Sequence, residues 1–394
     1  MLNSYKTTIY FALILLGVVG CGGKNTPVGQ TPLYGNAVGN GGDVIVCNGK
    51  PPILLDVWEL RELNHERVSL GDSQGTYINK ATEAINRLSN LDKERSKRYL
   101  NLLNSFETEA VFLKGAELTD IPDSLNVALP MDCELKQIAV QQKQNTEKDP
   151  KYVLNKDLWD QLDTDNQAGL ALHEIIYREA YEYRKHTDSR RVRKFNGYVL
   201  SENGFHGYDA QKYRELLRDL QLPHWMNNVP VKPESVVLSN VTAAQAEVVE
   251  AGAWIQVGVN RVHFGGNFLI EFHPSGAIRK GSRGWTEMEQ KTSLVIGSNS
   301  FKFECGAFIE LYEGGAVKAA HLGEFSMSMK DVPVSFSTRS DQDRMAKFYE
   351  SGNLMEATLA APATLQTKND GLREYKTKTR LFFDEEGFVE REVN

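Results

Sequence analysis

The residues with the clearest chemical potential lie in the segment LALHEIIYREAYEY, residues 170–183. His173 and Glu174 stand side by side in a run whose apolar residues recur at helical spacing. An imidazole and a carboxylate on a helix can bind a metal ion and activate its water when a second imidazole follows four residues later. Position 177 is a tyrosine. Metal chemistry at this helix therefore requires ligands from elsewhere in the chain.

The pattern His-Glu-x-x-Tyr resembles the His-Glu-x-x-His helix of zinc proteases, with Tyr177 in place of the second histidine. The resemblance implies a zinc-dependent hydrolase in which Glu174 is the catalytic residue and His173 a metal ligand. His186 and His206 are the candidates for the remaining metal ligands.

A structural interpretation of the same helix requires no metal. His173 and Tyr177 lie one turn apart and can stack on each other at the domain edge, and Glu174 can pair with Arg178 at i,i+4. Because the metal motif is incomplete, we favour this interpretation. We therefore expect no cofactor and no enzymatic activity, with zinc hydrolysis as the alternative.

The first twenty residues, MLNSYKTTIYFALILLGVVG, combine one lysine with an apolar run from Ile9 to Val19. That run is too short for a stable membrane-spanning helix. The residues VVGC that end at Cys21 resemble the lipobox of bacterial lipoproteins. The resemblance implies cleavage after Gly20, acylation of Cys21 by chains such as palmitate, and anchoring in the membrane. Gly22, where Asp would favour the inner membrane, favours the periplasmic face of the outer membrane. The alternatives are an ordinary cleaved signal peptide and a short membrane helix.

Charge excludes one class of partner. The chain carries a formal charge of −7, and removal of Lys6 with the leader makes it −8. Proteins that bind nucleic acid present a basic face to the phosphates. We therefore expect no nucleic-acid partner, and we expect contact with the membrane through covalent lipid alone.

Cysteine usage fits an oxidising compartment. Three cysteines follow Cys21, namely Cys47, Cys133 and Cys305. Cys47 and Cys133 lie in the same N-terminal region, so we predict that they form a disulfide and that Cys305 is a buried free thiol.

The chain divides into segments of different composition. Residues 1–20 form the leader, and residues 21–43, rich in Gly, Pro, Asn and Thr, form a flexible tether. Residues 44–228 are mainly helical, residues 229–234 are a linker, and residues 235–394 are a β-hairpin domain, which predicts an α+β protein. The helices are expected at 54–66, 77–104, 156–162, 165–184, 189–200 and 209–220.

The C-terminal domain repeats one pattern. Four segments align: IEFHPSGAI (270–278), IELYEGGAV (309–317), AKFYESGNL (346–354) and LFFDEEGFV (381–389). Their glycines are Gly276, Gly315, Gly352 and Gly387. Alternating apolar residues around a glycine predict a β-hairpin, because glycine adopts the positive φ of a tight turn. No single copy could bury its apolar face alone, so a stacked meander or solenoid is expected.

The FYESGNL stretch resembles the bacterial repeats grouped with MORN proteins. The resemblance implies a repeat platform for binding or assembly. We therefore expect a lipid-anchored binding or scaffold protein whose partner is a protein or a cell-envelope polymer. A purely structural surface protein is a further possibility.

Overall fold

The computed structural model describes residues 37–40, 42–71, 74–118, 129–144, 146, 149–239, 242–284, 292–303, 306–338 and 345–393. The chain from Gly35 to Asn394 forms one compact unit. Its described residues contain two hydrophobic clusters, one between Val44 and Leu222 and one between Val229 and Val389. We refer to residues 37–223 as the helical half and to residues 224–393 as the hairpin half.

The helices fall in the first half, as predicted. They are α1 (Leu55–Trp58), α2 (Tyr77–Leu88), α3 (Lys93–Glu109), α4 (Lys156–Trp159), α5 (Thr164–Arg184), α6 (Arg190–Leu200) and α7 (Ala210–Asp219). A π-helical turn, Glu59–Leu63, continues α1. Five of these helices, α2, α3, α4, α5 and α7, begin with a side-chain oxygen that accepts a backbone N–H group of the first turn. The accepting residues are Thr76, Asp92, Asn155, Asp163 and Asp209. The Asp92 cap divides the single helix predicted over 77–104 into two.

Two small sheets complete the helical half. Their strands are β1 (Ala37–Asn40), β2 (Asp43–Cys47), β3 (Ile53–Leu54), β4 (Ala110–Leu113), β5 (Cys133–Gln137), β6 (Ala139–Gln142) and β7 (Tyr152–Asn155). One sheet has the order β1-β6-β7-β4 and the other β3-β2-β5. Cys47 and Cys133 stand opposite each other on β2 and β5 and form the predicted disulfide, with an S–S distance of 2.05 Å.

The long helix α5 is the centre of this half. Its residues Ala168 to Tyr177 are all buried, polar side chains included. Gly169 packs so closely that a Cβ atom there would lie 2.8 Å from the Leu54 side chain. In the part of the chain that the structure describes, no helix is both long enough and apolar enough to cross a membrane.

The hairpin half consists of short antiparallel strands. They are β8 (His224–Met226), β9 (Val229–Val231), β10 (Val237–Ser239), β11 (Thr242–Glu247), β12 (Ala253–Val257), β13 (Asn260–Phe264), β14 (Leu269–Phe272), β15 (Ile278–Ser282), β16 (Thr292–Ile296), β17 (Asn299–Phe303), β18 (Phe308–Leu311), β19 (Val317–Ala320), β20 (Glu324–Met329), β21 (Val332–Ser337), β22 (Ala346–Phe348), β23 (Leu354–Leu359), β24 (Ala363–Thr367), β25 (Gly371–Tyr375), β26 (Arg380–Phe383) and β27 (Val389–Val393). Fourteen of them share one sheet, whose main path runs β10-β11-β14-β15-β18-β19-β22-β23-β26-β27-β24-β25, with β20 and β21 paired beside it. The predicted α+β class is confirmed.

Each of the four glycine segments forms a hairpin of this sheet. We call β14–β15, β18–β19, β22–β23 and β26–β27 the sheet hairpins. The four turn glycines have φ between +86° and +91°, a region that other residues resist. In each turn the glycine N–H donates to the carbonyl three residues earlier.

A second set of hairpins packs against the sheet hairpins, and its last member, β20–β21, also joins the sheet through the pairing of β21 with β23. We call β8–β9, β12–β13, β16–β17 and β20–β21 the covering hairpins. Both layers contribute to one hydrophobic cluster, in which Phe264, Phe303 and Phe336 of the covering hairpins are almost fully buried. Each covering turn contacts the turn of a sheet hairpin further along the chain, as Gly258 contacts Gly315 and Gly297 contacts Gly352. The packing of the covering hairpins on the sheet hairpins therefore depends on the close approach of their backbones.

Side chains three residues before the turn glycines link successive sheet hairpins. His273 Nε2 donates to the carbonyl of Leu311 at 3.0 Å. The hydroxyls of Tyr312 and Tyr349 donate to the carbonyls of Phe348 and Phe383, each at 2.8 Å. The fourth copy has Asp384 at this position, and its carboxylate accepts N–H groups of its own turn. The ladder thus ends with the last sheet hairpin.

The first covering hairpin joins the two halves. Its strand β9 and the turn Pro233–Ser235 include the segment 229–234 predicted as a linker, and Val229 and Val231 are fully buried. Glu94 at the start of α3 accepts the N–H groups of Asn227 and Asn228 at 2.7 and 2.8 Å. The helical half therefore contacts the first covering hairpin of the hairpin half.

The close approach of the layers predicts a specific cost for one substitution. A Cβ atom on Gly352 would lie 2.4 Å from the backbone nitrogen of Gly297, whereas a Cβ on Gly323, also at positive φ, meets no atom within 4 Å. We expect Gly323→Ala to cost about 1–2 kcal/mol of unfolding free energy from backbone strain alone. Gly352→Ala should cost roughly 2 kcal/mol more, because the hairpins β22–β23 and β16–β17 must separate. Urea denaturation measures both, and equal losses would contradict the stacking.

Candidate functional site

His173 is the residue around which the site forms. It lies in the middle of α5 with its side chain fully buried. Its Nδ1 is 2.9 Å from Oδ2 of Asp56, which belongs to α1 and is 1% exposed. This hydrogen bond joins two helices whose residues are 117 positions apart in the sequence.

Asn196 of α6 completes the cluster. Its amide nitrogen Nδ2 donates to the same Asp56 oxygen at 2.7 Å and to the carbonyl of Gly169 at 3.0 Å. Oδ2 of Asp56 therefore accepts from α5 and from α6 at once. We call Asp56, His173 and Asn196 the buried triad.

The triad contains an ion pair. Burial by itself would lower the pKa of His173, but the charge and the hydrogen bond of Asp56 outweigh it and raise the pKa to about 9. Burial by itself would raise the pKa of Asp56, but His173 and Asn196 outweigh it and hold the pKa below its ordinary value. At neutral pH the cluster consequently contains an imidazolium beside a carboxylate.

Glu174 has a separate structural role. Its Oε1 accepts the N–H of Gly42 at 2.7 Å, and its Oε2 accepts from Nε2 of Gln141 at 2.9 Å. Burial raises the pKa of this carboxyl group. Gly42 packs closely here, since a Cβ atom would lie 2.0 Å from Cδ1 of Leu170 and that side chain would have to move. Glu174 thus holds the residue before β2 against α5. The predicted ion pair between Glu174 and Arg178 is wrong, because Arg178 pairs with Glu182 and Glu109.

The histidines of the metal hypothesis lie apart. His186 Nε2 is 2.9 Å from the carbonyl oxygen of Gln221, and burial lowers the pKa of His186. His206 lies in an exposed turn after α6. Across the described residues, which include all three histidines, no group of three or more His, Cys, Asp or Glu side chains is placed to hold a metal ion.

Tyr177 occupies the position of the second zinc-protease histidine. Its ring stacks on His173 with centroids 6.4 Å apart and planes 13° from parallel. The stacking was predicted, but its location differs from the expectation. Both rings are fully buried in the core and do not lie at the domain edge.

A cleft opens beside the triad. It has a volume of about 460 Å³ and lies between the π-helical turn with the residues that follow it and the α6 helix. Asp56 is one of its lining residues, together with Glu59, Leu60 and Leu63 on one side and Arg193 and Gly197 on the other. π-helical turns occur often at functional sites, where they redirect side chains. Here the turn forms one wall of the cleft.

Several charges of the cleft are mutually compensated. Arg193 Nε lies 3.1 Å from a Glu59 carboxylate oxygen, and Arg193 Nη1 donates to Ser189 Oγ at 2.7 Å. Glu66 accepts from Ser201 Oγ at 3.0 Å. Lys194 is exposed at the cleft and has no ion-pair partner within the described ranges.

Three polar atoms of the triad have no hydrogen-bond partner among the described residues. They are Oδ1 of Asp56, Nε2 of His173 and Oδ1 of Asn196. Unpaired buried polar atoms are costly, and native proteins keep few of them. Of the three residues, Asp56 lines the cleft. Its Oδ2 is occupied by His173 and Asn196, and its Oδ1 is shielded from solvent and has no partner among the described residues.

The sequence indicated His173 but not its partners. Asp56 stands inside the apolar run Ile53–Trp58, and an acid in such a run was a signal of a buried carboxylate. Asn196 and Gln141 carried no such signal. Cys21, the predicted lipid attachment site, and Cys305, the predicted free thiol, lie outside the described residues.

Comparison with known protein families, with curated proteins and with solved structures found no match.

The ion pair of the triad predicts a pH dependence of stability. The pKa of His173 rises from 6.5 to about 9 on folding, so its stabilisation is complete below pH 6.5 and is lost as the pH rises through 9. The loss should be on the order of 3 kcal/mol. We expect His173→Gln to remove this part of the pH dependence, because glutamine has no proton to release. Chemical denaturation at pH 6.5 and 9.5 measures it.

Exposed His206 provides the control. His206→Gln should keep the wild-type dependence on pH. Parallel stability curves for the wild type and His173→Gln would show that the imidazolium is absent.

Proposed function

We propose that this chain is a lipid-anchored protein of the cell envelope that binds a small ligand in the cleft beside Asp56. In this proposal Cys21 carries the lipid, and the protein faces the periplasm from the outer membrane. The hairpin half serves as a scaffold that presents the helical half to partners, either proteins or envelope polymers.

One observation carries the binding proposal. Asp56 is 1% exposed, its pKa lies below the ordinary value, and Oδ1 has no protein partner within the described residues although the residue lines a cleft. Keeping a carboxylate charged in the interior is costly unless each oxygen is hydrogen-bonded. A ligand in the cleft would lie against the wall that contains this carboxylate. The cleft volume of about 460 Å³ lies within the range of small-molecule sites.

The hydrogen-bonded stack of sheet hairpins supports the scaffold role. Each sheet hairpin hydrogen-bonds to the next through His273, Tyr312 or Tyr349. The covering hairpin β8–β9 connects this stack to helix α3. Repeat arrays of this kind form extended surfaces whose parts keep a fixed geometry.

The structure favours binding over the zinc-hydrolase alternative. Nδ1 of His173 is engaged by Asp56, and both oxygens of Glu174 are engaged by Gly42 and Gln141. A general base must reach a metal-bound water, and Glu174 is held in the core by these contacts.

Gly197 provides a test of the cleft. It lines the cleft, and a Cβ atom there would meet only Leu60 Cδ1, at 3.8 Å. Gly197→Ala should therefore fold and keep the cleft open, whereas the ring of Gly197→Phe should fill it. Native mass spectrometry of protein extracted from its own membrane should show a small-molecule adduct for the wild type and Gly197→Ala. Gly197→Phe should lack it.

A wild-type protein that carries no adduct would contradict ligand binding. So would an adduct that persists in a folded Gly197→Phe protein, because the ligand would then lie elsewhere.

The lipid anchor is tested separately. We expect cells fed labelled palmitate to incorporate label into the wild type and to fractionate it with the outer membrane. Cys21→Ser should incorporate no label and leave the membrane fraction, since no thiol is available for acylation. Cys305→Ser is the matched control and should behave as the wild type. Equal labelling of the Cys21→Ser protein would contradict the anchor.

A further inference from the structure

The last two hairpins of the chain repeat an earlier arrangement. Each of the sheet hairpins β14–β15, β18–β19 and β22–β23 is preceded by a covering hairpin, and we call the two together a copy. The hairpin β24–β25 precedes β26–β27 in the same way, and we call these two the terminal pair. Tyr375 ends β25 as Phe264 and Phe303 end β13 and β17, and all three are buried. The terminal pair can therefore be compared with the earlier copies position by position.

One inward position of the sheet hairpins changes in the terminal pair. Five residues after the turn glycine, the earlier copies have Gly281, Ala320 and Ala357, which are small and buried. A Cβ atom on Gly281 would lie 2.5 Å from the ring of Phe264, so this position faces the covering hairpin. The corresponding residue of β27 is Glu392, whose side chain is 28% exposed. A charged side chain thus occupies a position that is small and buried elsewhere.

The facing position of the covering hairpins changes with it. Two residues before the buried aromatic residue, the earlier copies have Val262, Phe301 and Val334, all buried. The terminal pair has Arg373 there, with a side chain that is 54% exposed. Nη2 of Arg373 donates to Oε1 of Glu392 at 2.6 Å. An ion pair therefore joins the terminal pair where the earlier copies bury uncharged residues.

The ladder between sheet hairpins is redirected at the same place. In the earlier copies, His273, Tyr312 and Tyr349 hydrogen-bond to the sheet hairpin that follows. The terminal pair has Asp384 at this position, and Lys368 in the turn of β24–β25 donates to its carboxylate at 3.0 Å. A contact that points to the next hairpin in the earlier copies thus stays within the terminal pair.

The outer edge of β27 is charged. In the earlier copies the second strand of a sheet hairpin pairs with the first strand of the next, as β15 with β18 and β19 with β22. Among the described strands, β27 meets on that side only β24, through the pair of Val389 and Thr367. Glu390 and Arg391 beyond this pair are exposed. Charged residues on an edge strand oppose the addition of another strand.

We propose that the terminal pair is a polar cap that prevents the hairpin stack from docking onto a second copy of the chain. Repeat arrays require terminal units with a polar outer face, because the surface that stacks their inner units would otherwise stay exposed. The ion pairs Arg373–Glu392 and Lys368–Asp384 provide this face. The inference concerns self-association and is independent of the ligand and of the lipid anchor.

Restoring the residues of an earlier copy tests the cap. Arg373→Val together with Glu392→Ala reproduces the pattern of Val334 and Ala357, so the double variant should fold. It presents an uncharged end to a second molecule. We expect the full lipidated wild type to sediment as a monomer in detergent. The double variant should associate with a dimer dissociation constant at least about tenfold lower than that of the wild type. Sedimentation velocity over a range of protein concentrations measures both.

An ion pair of similar exposure provides the control. Arg279 and Glu271 pair across β14–β15, away from the terminal pair, with side chains 55% and 22% exposed. Arg279→Val together with Glu271→Ala should leave a monomer. Exchange of the charges in the cap, by Arg373→Glu together with Glu392→Arg, should also leave a monomer, because the end stays polar.

Three results would overturn the proposal. The first is a monomeric double variant whose circular dichroism matches the wild type. The second is association of the Arg279 control to the same degree, because any loss of surface charge would then suffice. The third is association of the charge-exchanged protein. If the double variant does not fold, Glu392→Ala alone decides in the same way, since Ala320 and Ala357 occupy the corresponding positions.

Discussion

The arrangement of the helical half depends on one buried carboxylate, that of Asp56. One of its oxygens accepts from His173 on α5 and from Asn196 on α6, while Asp56 itself belongs to α1. A charged group in the interior is tolerated only when it is paired and hydrogen-bonded, so the three helices are held where these bonds can form. The π-helical turn that follows α1 and the face of α6 then border the same cleft. The cleft is therefore a consequence of how the carboxylate is satisfied.

Helix α5 connects this cluster to the hairpin half. Six residues after His173, Glu179 is fully buried and accepts from Arg95, from Tyr99 at 2.7 Å and from Trp225 of β8. Arg95 in turn donates to Tyr213 and to the carbonyl of Pro223. One helix thus places a buried ion pair at the cleft and a second at the junction with the first covering hairpin. Removing either partner of such a pair leaves a buried charge, which couples the two halves energetically.

Local signals predicted the parts of the structure that local physics determines. The four turn glycines and the helix α5 could be read from the sequence, because positive φ and apolar spacing are properties of short segments. The strands β1, β4 and β7 were not predicted, since four residues are too few to show a period. The partnership of Asp56, His173 and Asn196 was also missed, because residues up to 140 positions apart meet only in the fold. Of the three residues of the buried triad, His173 was therefore the one that the sequence indicated, and its chemistry was not visible.

The charge state of Asp56 is the property that the fold of the helical half requires. It is measured most directly by a carboxyl carbon-13 NMR titration in which Asp56→Asn assigns the resonance. The structure predicts a midpoint below the ordinary aspartate value of 3.8, so that the group is fully ionised at neutral pH. A midpoint above neutral pH would contradict it, because Asp56 would then be protonated at neutral pH and could not hold His173 as an imidazolium.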